Sequence, residues 1–191
     1  MIRIGITGGI GSGKSVVSEI LSCMGIPTYN ADNASKRIIS TRKEIINALK
    51  KLLGSEIYAH GNLDKKKMAQ LIFNDTELLA KVNNIIHPAV IEDFMAWCEL
   101  QTASVVAAET AILFESGMDK LVNVKVSVIA RTDTRIERCV KRNSMTKEQV
   151  LARIKNQMDD EERMRRSDFV IINDEKHAVI PQIKEIIKTL A

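Results

Sequence analysis

Apolar positions along this chain follow two different periods. Ile2 to Thr7 is a short run rich in β-branched isoleucine, which predicts a strand. From Lys14 to Met24 the apolar residues fall at Val16, Val17, Ile20, Leu21 and Met24, a helical spacing, and Gly25 supplies a stop. Pro27 to Asn30 predicts a second short strand. From about Ala31 to Gln101 the pattern is helical. Glu44 to Leu53 puts Ile45, Ile46, Leu49, Leu52 and Leu53 on one face, and Gly54 ends it. Asp64 could cap a helix from Lys65 to Phe73, and Thr76 another with Leu78, Leu79, Val82, Ile85 and Ile86 inward. His87-Pro88 predicts an interruption or kink, because the residue before proline avoids helical geometry. Val105 to Ala108 is an unbroken apolar run and Val124 to Ala130 an apolar run interrupted by Lys125 and Ser127, the pattern of strands buried on both faces of a parallel sheet. Thr132 to Arg142 reads as a basic helix. Thr146 with Gln149 forms a capping box that opens a helix toward Gln157. A strand at Phe169 to Ile172 and a helix at Val179 to Leu190 complete the order. Strands alternating with helices, and helices inserted mid-chain, predict an α/β fold with a parallel sheet.

Five of the nine glycines lie between Gly5 and Gly13. They belong to Gly8-Gly9-Ile10-Gly11-Ser12-Gly13-Lys14-Ser15, which satisfies G-x-x-x-x-G-K-S/T in full, with a strand before it and an amphipathic helix after it. Glycines let backbone N–H groups converge on phosphate oxygens, and the helix N-terminus adds the positive end of its dipole. Lys14 is expected to reach the β- and γ-phosphates of ATP, and the Ser15 hydroxyl to ligate Mg²⁺. Val16 completes the loop. The motif specifies a nucleoside triphosphate but not its use. A GTPase switch would carry N-K-x-D, which this chain lacks. The run Val105-Val106-Ala107-Ala108 ends in Glu109, a carboxylate but an imperfect match to the aspartate expected of a motor. A small-molecule kinase needs a base and a basic lid. Asp32, at the end of the second strand, is either that base or the N-cap of a helix over Asn33 to Ile39.

Charge sharpens the lid. The chain has 191 residues and a net charge of +4, and the segment from Arg131 to Arg166 alone holds eleven basic and seven acidic residues. Arg135, Arg138 and Arg142 are spaced three and four apart, so they share a helix face suited to phosphate oxygens. The interleaved acids and the lack of aromatic residues there disfavour nucleic acid. Three separated cysteines, Cys23, Cys98 and Cys139, each among apolar residues, predict buried thiols and neither zinc nor disulfides. No apolar run approaches the ~18 residues of a membrane span. With no signal-peptide build at Met1 to Gly5, a soluble cytoplasmic protein is expected, as a monomer or weak homo-oligomer.

Taken together, Gly5-Ile6-Thr7 with the loop through Ser15, Ala31-Asp32, His87-Pro88, Leu113-Phe114-Glu115, Arg138, Arg142, Arg153 with Gln157, and Asp168-Phe169-Val170-Ile171 with Asn173 resemble the dephospho-CoA kinase family. The likeness runs from about Ile4 to Asn173. It implies ATP-dependent phosphorylation of the ribose 3′-hydroxyl of dephospho-CoA. It also implies a P-loop kinase fold of three layers with a five-stranded parallel sheet, a helical substrate-binding insertion and a helical lid. On this reading one domain spans 1–191, with a core at about 1–30, 102–131 and 168–191, the insertion at about 31–101 and the lid at about 132–167. Asp32 aligns with the catalytic aspartate, Arg138 and Arg142 with lid positions near the phosphates, and Asn173 with the nucleotide side. His87 aligns with the acceptor region, and Glu115 either lines the acceptor site or caps the following turn. The chain departs from the family at Asn30, where many members have the first aspartate of D-A-D, and at Ala111, which replaces the proline of P-L-L-x-E. Asp174-Glu175 stands where a small residue and glycine are usual.

Overall fold

The computed structural model describes residues 1–59, 62–72, 75–143 and 145–190. In chain order the elements are β1 (Ile2–Thr7), α1 (Lys14–Cys23), β2 (Thr28–Asn30), α2 (Ala31–Thr41), α3 (Lys43–Leu53), β3 (Tyr58–Ala59), β4 (Asn62–Leu63), α4 (Lys65–Ile72) and α5 (Thr76–Glu99). They continue with β5 (Val105–Glu109), β6 (Val124–Ile129), α6 (Thr132–Asn143), α7 (Lys147–Lys155), α8 (Asp160–Arg165), β7 (Phe169–Ile172) and α9 (Val179–Thr189). They form two compact units, one of Met1–Asn30 with Gln101–Ala191 and one of Ala31–Leu100. Among the described residues no helix is long and apolar enough to cross a membrane.

The first unit is built on five parallel strands in the order β2-β5-β1-β6-β7. The apolar runs sit at the sheet's centre: Val106, Ala107 and Ala108 of β5 are fully buried, as are Ile4 and Ile6 of β1 and Val128 of β6. Ile4, Ile6, Val126, Val128 and Ile171 pack with Val17 and Leu21 of α1 and with Ile183 and Ile186 of α9. Burying such side chains is worth roughly 1.5–3 kcal/mol each. The edge strand β7 leaves Val170 and Ile172 partly exposed. Gln182 accepts the Ile172 N–H and donates to its carbonyl, both at 2.9 Å, which satisfies the last residue of that edge. Parallel register brings the carboxyl ends of the strands to one edge, with Asn30 of β2 opposite Glu109 of β5.

The second unit packs α2, α3 and α5 around Ile38, Leu49, Ile57, Val82, Ile86 and Phe94. The Tyr58 hydroxyl donates to the Ile39 carbonyl at 2.7 Å, and burial raises its pKa. Arg37 pairs with Asp93 at 2.6 Å and Arg42 with Glu92 at 2.7 Å, joining α2 and the residue after it to α5.

Several expectations are corrected. Helix α5 runs through His87-Pro88 without a break. An interior proline costs about 3 kcal/mol, but Val82, Ile86, Ala89, Val90 and Phe94 form a buried stripe that spans the site, and Pro88 itself faces solvent. The N-cap of α5 is Asp75, accepting from Leu78 N–H at 2.8 Å, one residue before the expected Thr76. Leu79 is exposed rather than inward. Phe73, the expected end of α4, lies outside the described residues. The hairpin β3–β4 and the short helix α8 are additional, too short to leave a periodic signal. Cys98 and Cys139 are buried, but Cys23 is exposed. At 3.6 residues per turn it stands on the opposite side of α1 from Leu21.

Candidate active site

The phosphate-binding loop, Asn30, Glu109 and Asn173 lie at the carboxyl ends of β1, β2, β5 and β7, the position in which parallel α/β sheets hold ligands. The loop leaves β1 at Gly8 and enters α1 at Lys14. Gly13 takes the N-cap position in the left-handed conformation, φ 96°, and no side chain caps the helix. The N-terminal end of α1 is therefore presented to the loop, with the positive end of its dipole. A Cβ on Gly13 would lie 1.9 Å from the Asn173 amide, so this position admits only glycine. Lys14 Nζ donates to the Gly9 carbonyl at 3.3 Å, which curls the lysine back over the loop. Ser12 is buried, and its hydroxyl has no hydrogen bond within the protein.

A buried carboxylate faces the start of α1. Glu109, 5% exposed at the end of β5, accepts from Ser15 Oγ at 3.1 Å and from Asn30 Nδ2 at 2.9 Å. The sheet register that pairs Asn30 with Glu109 makes this contact. Among the described residues no group of three His, Cys, Asp or Glu could hold a metal. A hydroxyl and a carboxylate side by side are hard oxygen donors, and magnesium takes one or two such protein ligands with water and phosphate supplying the rest. Ser15 and Glu109 thus fit a magnesium ion that arrives with a triphosphate.

The 132–167 segment reaches the loop through side chains of quite different kinds. The three arginines expected to act together are separated. Arg135 is 3% exposed, with Nε on the Ile10 carbonyl at 2.8 Å and NH1 on Asp160 at 2.7 Å. Arg138 is partly exposed and donates to the Asn173 backbone carbonyl at 3.1 Å and to Asn173 Oδ1 at 3.3 Å. Arg142 is exposed near the end of α6. Asn173 follows β7 and donates to the Ser12 carbonyl at 3.0 Å, so it links Arg138 to the loop. Gln157 Oε1 accepts the Ile10 N–H at 2.8 Å. Asp160 also receives Arg163, which is 1% exposed. Burial pushes the Arg163 guanidinium below its ordinary pKa, while Asp160 and Glu115 act the other way.

Asp32 is exposed in the first turn of α2, which begins at Ala31, so it is not an N-cap. His87 is half-buried in α5. Both belong to the helical unit. Glu115 is exposed in the turns after β5. Val16 is exposed on α1. Asp168 takes the Lys125 N–H at 2.7 Å and Lys125 Nζ at 3.3 Å, fastening β7 to β6.

A model of the dephospho-CoA kinase family matches residues 2–178. The chain belongs to the dephospho-CoA kinase family. Its relatives include the dephospho-CoA kinases of Bacteroides fragilis, 44% identical over 99% of this chain and 93% of theirs, and of Porphyromonas gingivalis, 39% identical over 100% and 95%. A solved structure of a Thermus thermophilus protein is 32% identical, with a TM-score of 0.85 over 99% of this chain and 95% of that one. The dephospho-CoA kinase of Campylobacter jejuni shares the fold at a TM-score of 0.64, with 22% identity over 98% and 94%.

Against the family pattern, the Asn30 departure has a physical reason in this chain. An aspartate there would place a second carboxylate 2.9 Å from Glu109, whereas the asparagine amide donates to it. In the sequence Glu109 reads only as an imperfect match to a motor's aspartate and Gln157 only as part of the family likeness, while Asp160 and Arg163 are passed over. Gln157 carried a signal in its spacing from Arg153, yet Arg153 is exposed and only Gln157 touches the loop. Asp160 opens the acidic first turn of α8 and Arg163 its basic last turn, a charge run that reads as solvated although Arg163 is buried.

Proposed function

We propose that this protein transfers the γ-phosphoryl group of ATP to the ribose 3′-hydroxyl of dephospho-CoA, giving coenzyme A and ADP in the last step of coenzyme A biosynthesis. The observation that carries this reading is a complete phosphate-binding loop, folded between β1 and an uncapped α1, in a chain that matches the dephospho-CoA kinase family over residues 2–178. ATP and dephospho-CoA are its small-molecule substrates.

The backbone from Gly8 to Ser15, with Val16 following, holds the phosphates, and Lys14 offsets charge on the β- and γ-phosphates. Ser15 and Glu109 hold magnesium, which supplies charge neutralisation at the phosphates. Asn173 and Arg138 lie against the loop on its β7 side and serve the nucleotide. Arg138 and Arg142 serve the transferring phosphoryl group as the lid formed by about 132–167 closes and excludes water. Asp32 takes the proton of the attacking hydroxyl. Its support is position, since it follows the carboxyl end of β2 by two residues and is free of any capping duty. On the family likeness, His87 and Glu115 serve the acceptor, with the helical insertion of about 31–101 supplying the acceptor's other contacts.

The direct test is product chemistry. Incubation with ATP, magnesium and dephospho-CoA is expected to yield coenzyme A carrying phosphate at the 3′ position, with one ADP per product. Phosphate appearing at another hydroxyl, or ADP released at the same rate without acceptor, would overturn the reading.

A further inference from the structure

Two successive peptide groups of the phosphate-binding loop are gripped by side chains of the 132–167 segment. The Ile10 N–H donates to Gln157 Oε1, and the Ile10 carbonyl accepts from Arg135 Nε, each at 2.8 Å. Ile10 sits inside a turn closed by the Ser12 N–H on the Gly9 carbonyl at 3.2 Å, followed by Gly11 at φ 75°. The central peptide of such a turn can flip between two orientations with little displacement of its flanks. A trans peptide carries its C=O and N–H on opposite sides. A donor fixed on the Ile10 carbonyl therefore also fixes the direction of the Gly11 N–H.

The donor itself is fixed. Arg135 is 3% exposed and paired to one oxygen of Asp160 at 2.7 Å, while the other oxygen receives the buried Arg163. A Cβ on Gly9 would lie 2.1 Å from the Arg135 guanidinium, so the loop's second glycine makes room for an arginine of its own chain. None of these groups needs to touch a ligand to matter.

We propose that Gln157, Arg135 and Asp160 are positioning residues that set the peptide orientations at Ile10 and Gly11, and through them the affinity of the loop for nucleotide phosphate. This rests on the loop's reading as the ATP site. Asp160 is the keystone, because its one charge answers two buried guanidinium groups. Gln157 is the accessible end of the same grip.

The test uses Gln157→Leu and Gln157→Glu in the full chain, with amide hydrogen exchange at Ile10 followed by NMR and steady-state kinetics in both substrates. Loss of one hydrogen bond in Gln157→Leu is expected to speed Ile10 exchange about tenfold and raise the KM for ATP about tenfold. The KM for dephospho-CoA and the thermal midpoint should hardly move. Gln157→Glu keeps an acceptor and should return Ile10 exchange to near wild type. Asp160→Asn should raise the KM for ATP further, and because it disturbs a buried charge cluster, the solvent-accessible Gln157 pair carries the decision if it does not fold. Wild-type protein that binds ATP, beside a Gln157→Leu variant with unchanged KM for ATP, would overturn the grip and leave the kinase reading standing. Equal rises in both KM values, or equal exchange in the Leu and Glu variants, would overturn it as well. Wild-type protein that binds no nucleotide would remove both.

Discussion

The two units hold their functional side chains in opposite ways. In the sheet unit, Glu109, Arg135 and Asn173 are buried or half-buried and make hydrogen bonds to loop atoms, and buried Arg163 is held by Asp160, which also receives Arg135. In the helical unit, Asp32 is exposed on the first turn of α2, and the strongest polar links, Arg37–Asp93 and Arg42–Glu92, join helices on the surface. A phosphate chain is the same in every ATP, so a rigid, pre-oriented cradle suits it. Substitutions of the buried charges at the sheet end should therefore cost stability as well as binding, whereas exposed Asp32 should be replaceable at a cost to turnover alone.

The largest effect is expected at the cradle. Lys14→Ala should lower kcat/KM by several kcal/mol of barrier, about 10³-fold or more, with little change in thermal midpoint. Next comes Asp32→Asn, where the contrast is sharpest. A drop in kcat of about 10²-fold or more, with ATP affinity unchanged by calorimetry, is the expected result. Turnover close to wild type would remove the base from this position. Asn30→Asp probes the sheet end without touching the loop. It replaces a donor by a second carboxylate beside buried Glu109 and should cost about 1–3 kcal/mol of stability at pH 7, read as a fall of roughly 2–4 °C in midpoint per kcal/mol. Pro88→Ala should act in the other direction, stabilising the helical unit by about 1 kcal/mol by restoring a backbone donor in α5, with kcat unchanged.

The smallest effect is a pH dependence. His177 and nearby backbone N–H groups hold the Asp174 carboxyl at about 2, below its usual value of 3.8. A depressed folded-state pKa contributes stability that is present above the unfolded value and is lost as pH falls through the folded one. The contribution should therefore vanish between about pH 4 and pH 2. The loop is exposed, so the effect should shrink with added salt. Denaturant midpoints of wild type and Asp174→Ala that run parallel across this range would contradict it.

The fold was legible in the chain where one element's pattern left no choice. The run from Val105 to Ala108 has no polar face, so it belongs at the centre of a parallel sheet, and the Thr146–Gln149 capping box appears in full, with reciprocal bonds at 3.3 and 3.0 Å. The loop was legible because glycine spacing is dictated by backbone geometry. Helix continuity at Pro88 was not, since a local penalty was outweighed by a buried stripe that only the packed unit reveals. The Arg135–Asp160–Arg163 cluster was not legible either. Spacing placed Arg135, Arg138 and Arg142 on one face, but the burial that separates their roles depends on α8, whose six residues carry no periodic signal. Asn30 shows the same limit from the other side, because its fitness for that position lies in Glu109, seventy-nine positions away.

The measurement that bears most directly on the whole account is the initial rate of ADP release from ATP and magnesium across four acceptors: dephospho-CoA, AMP, CMP and adenosine. A kcat/KM for dephospho-CoA at least about 10²-fold above the others is expected, as a site built to pair an acceptor's polar groups allows. A preference for AMP or CMP, or equal rates on all four, would contradict it.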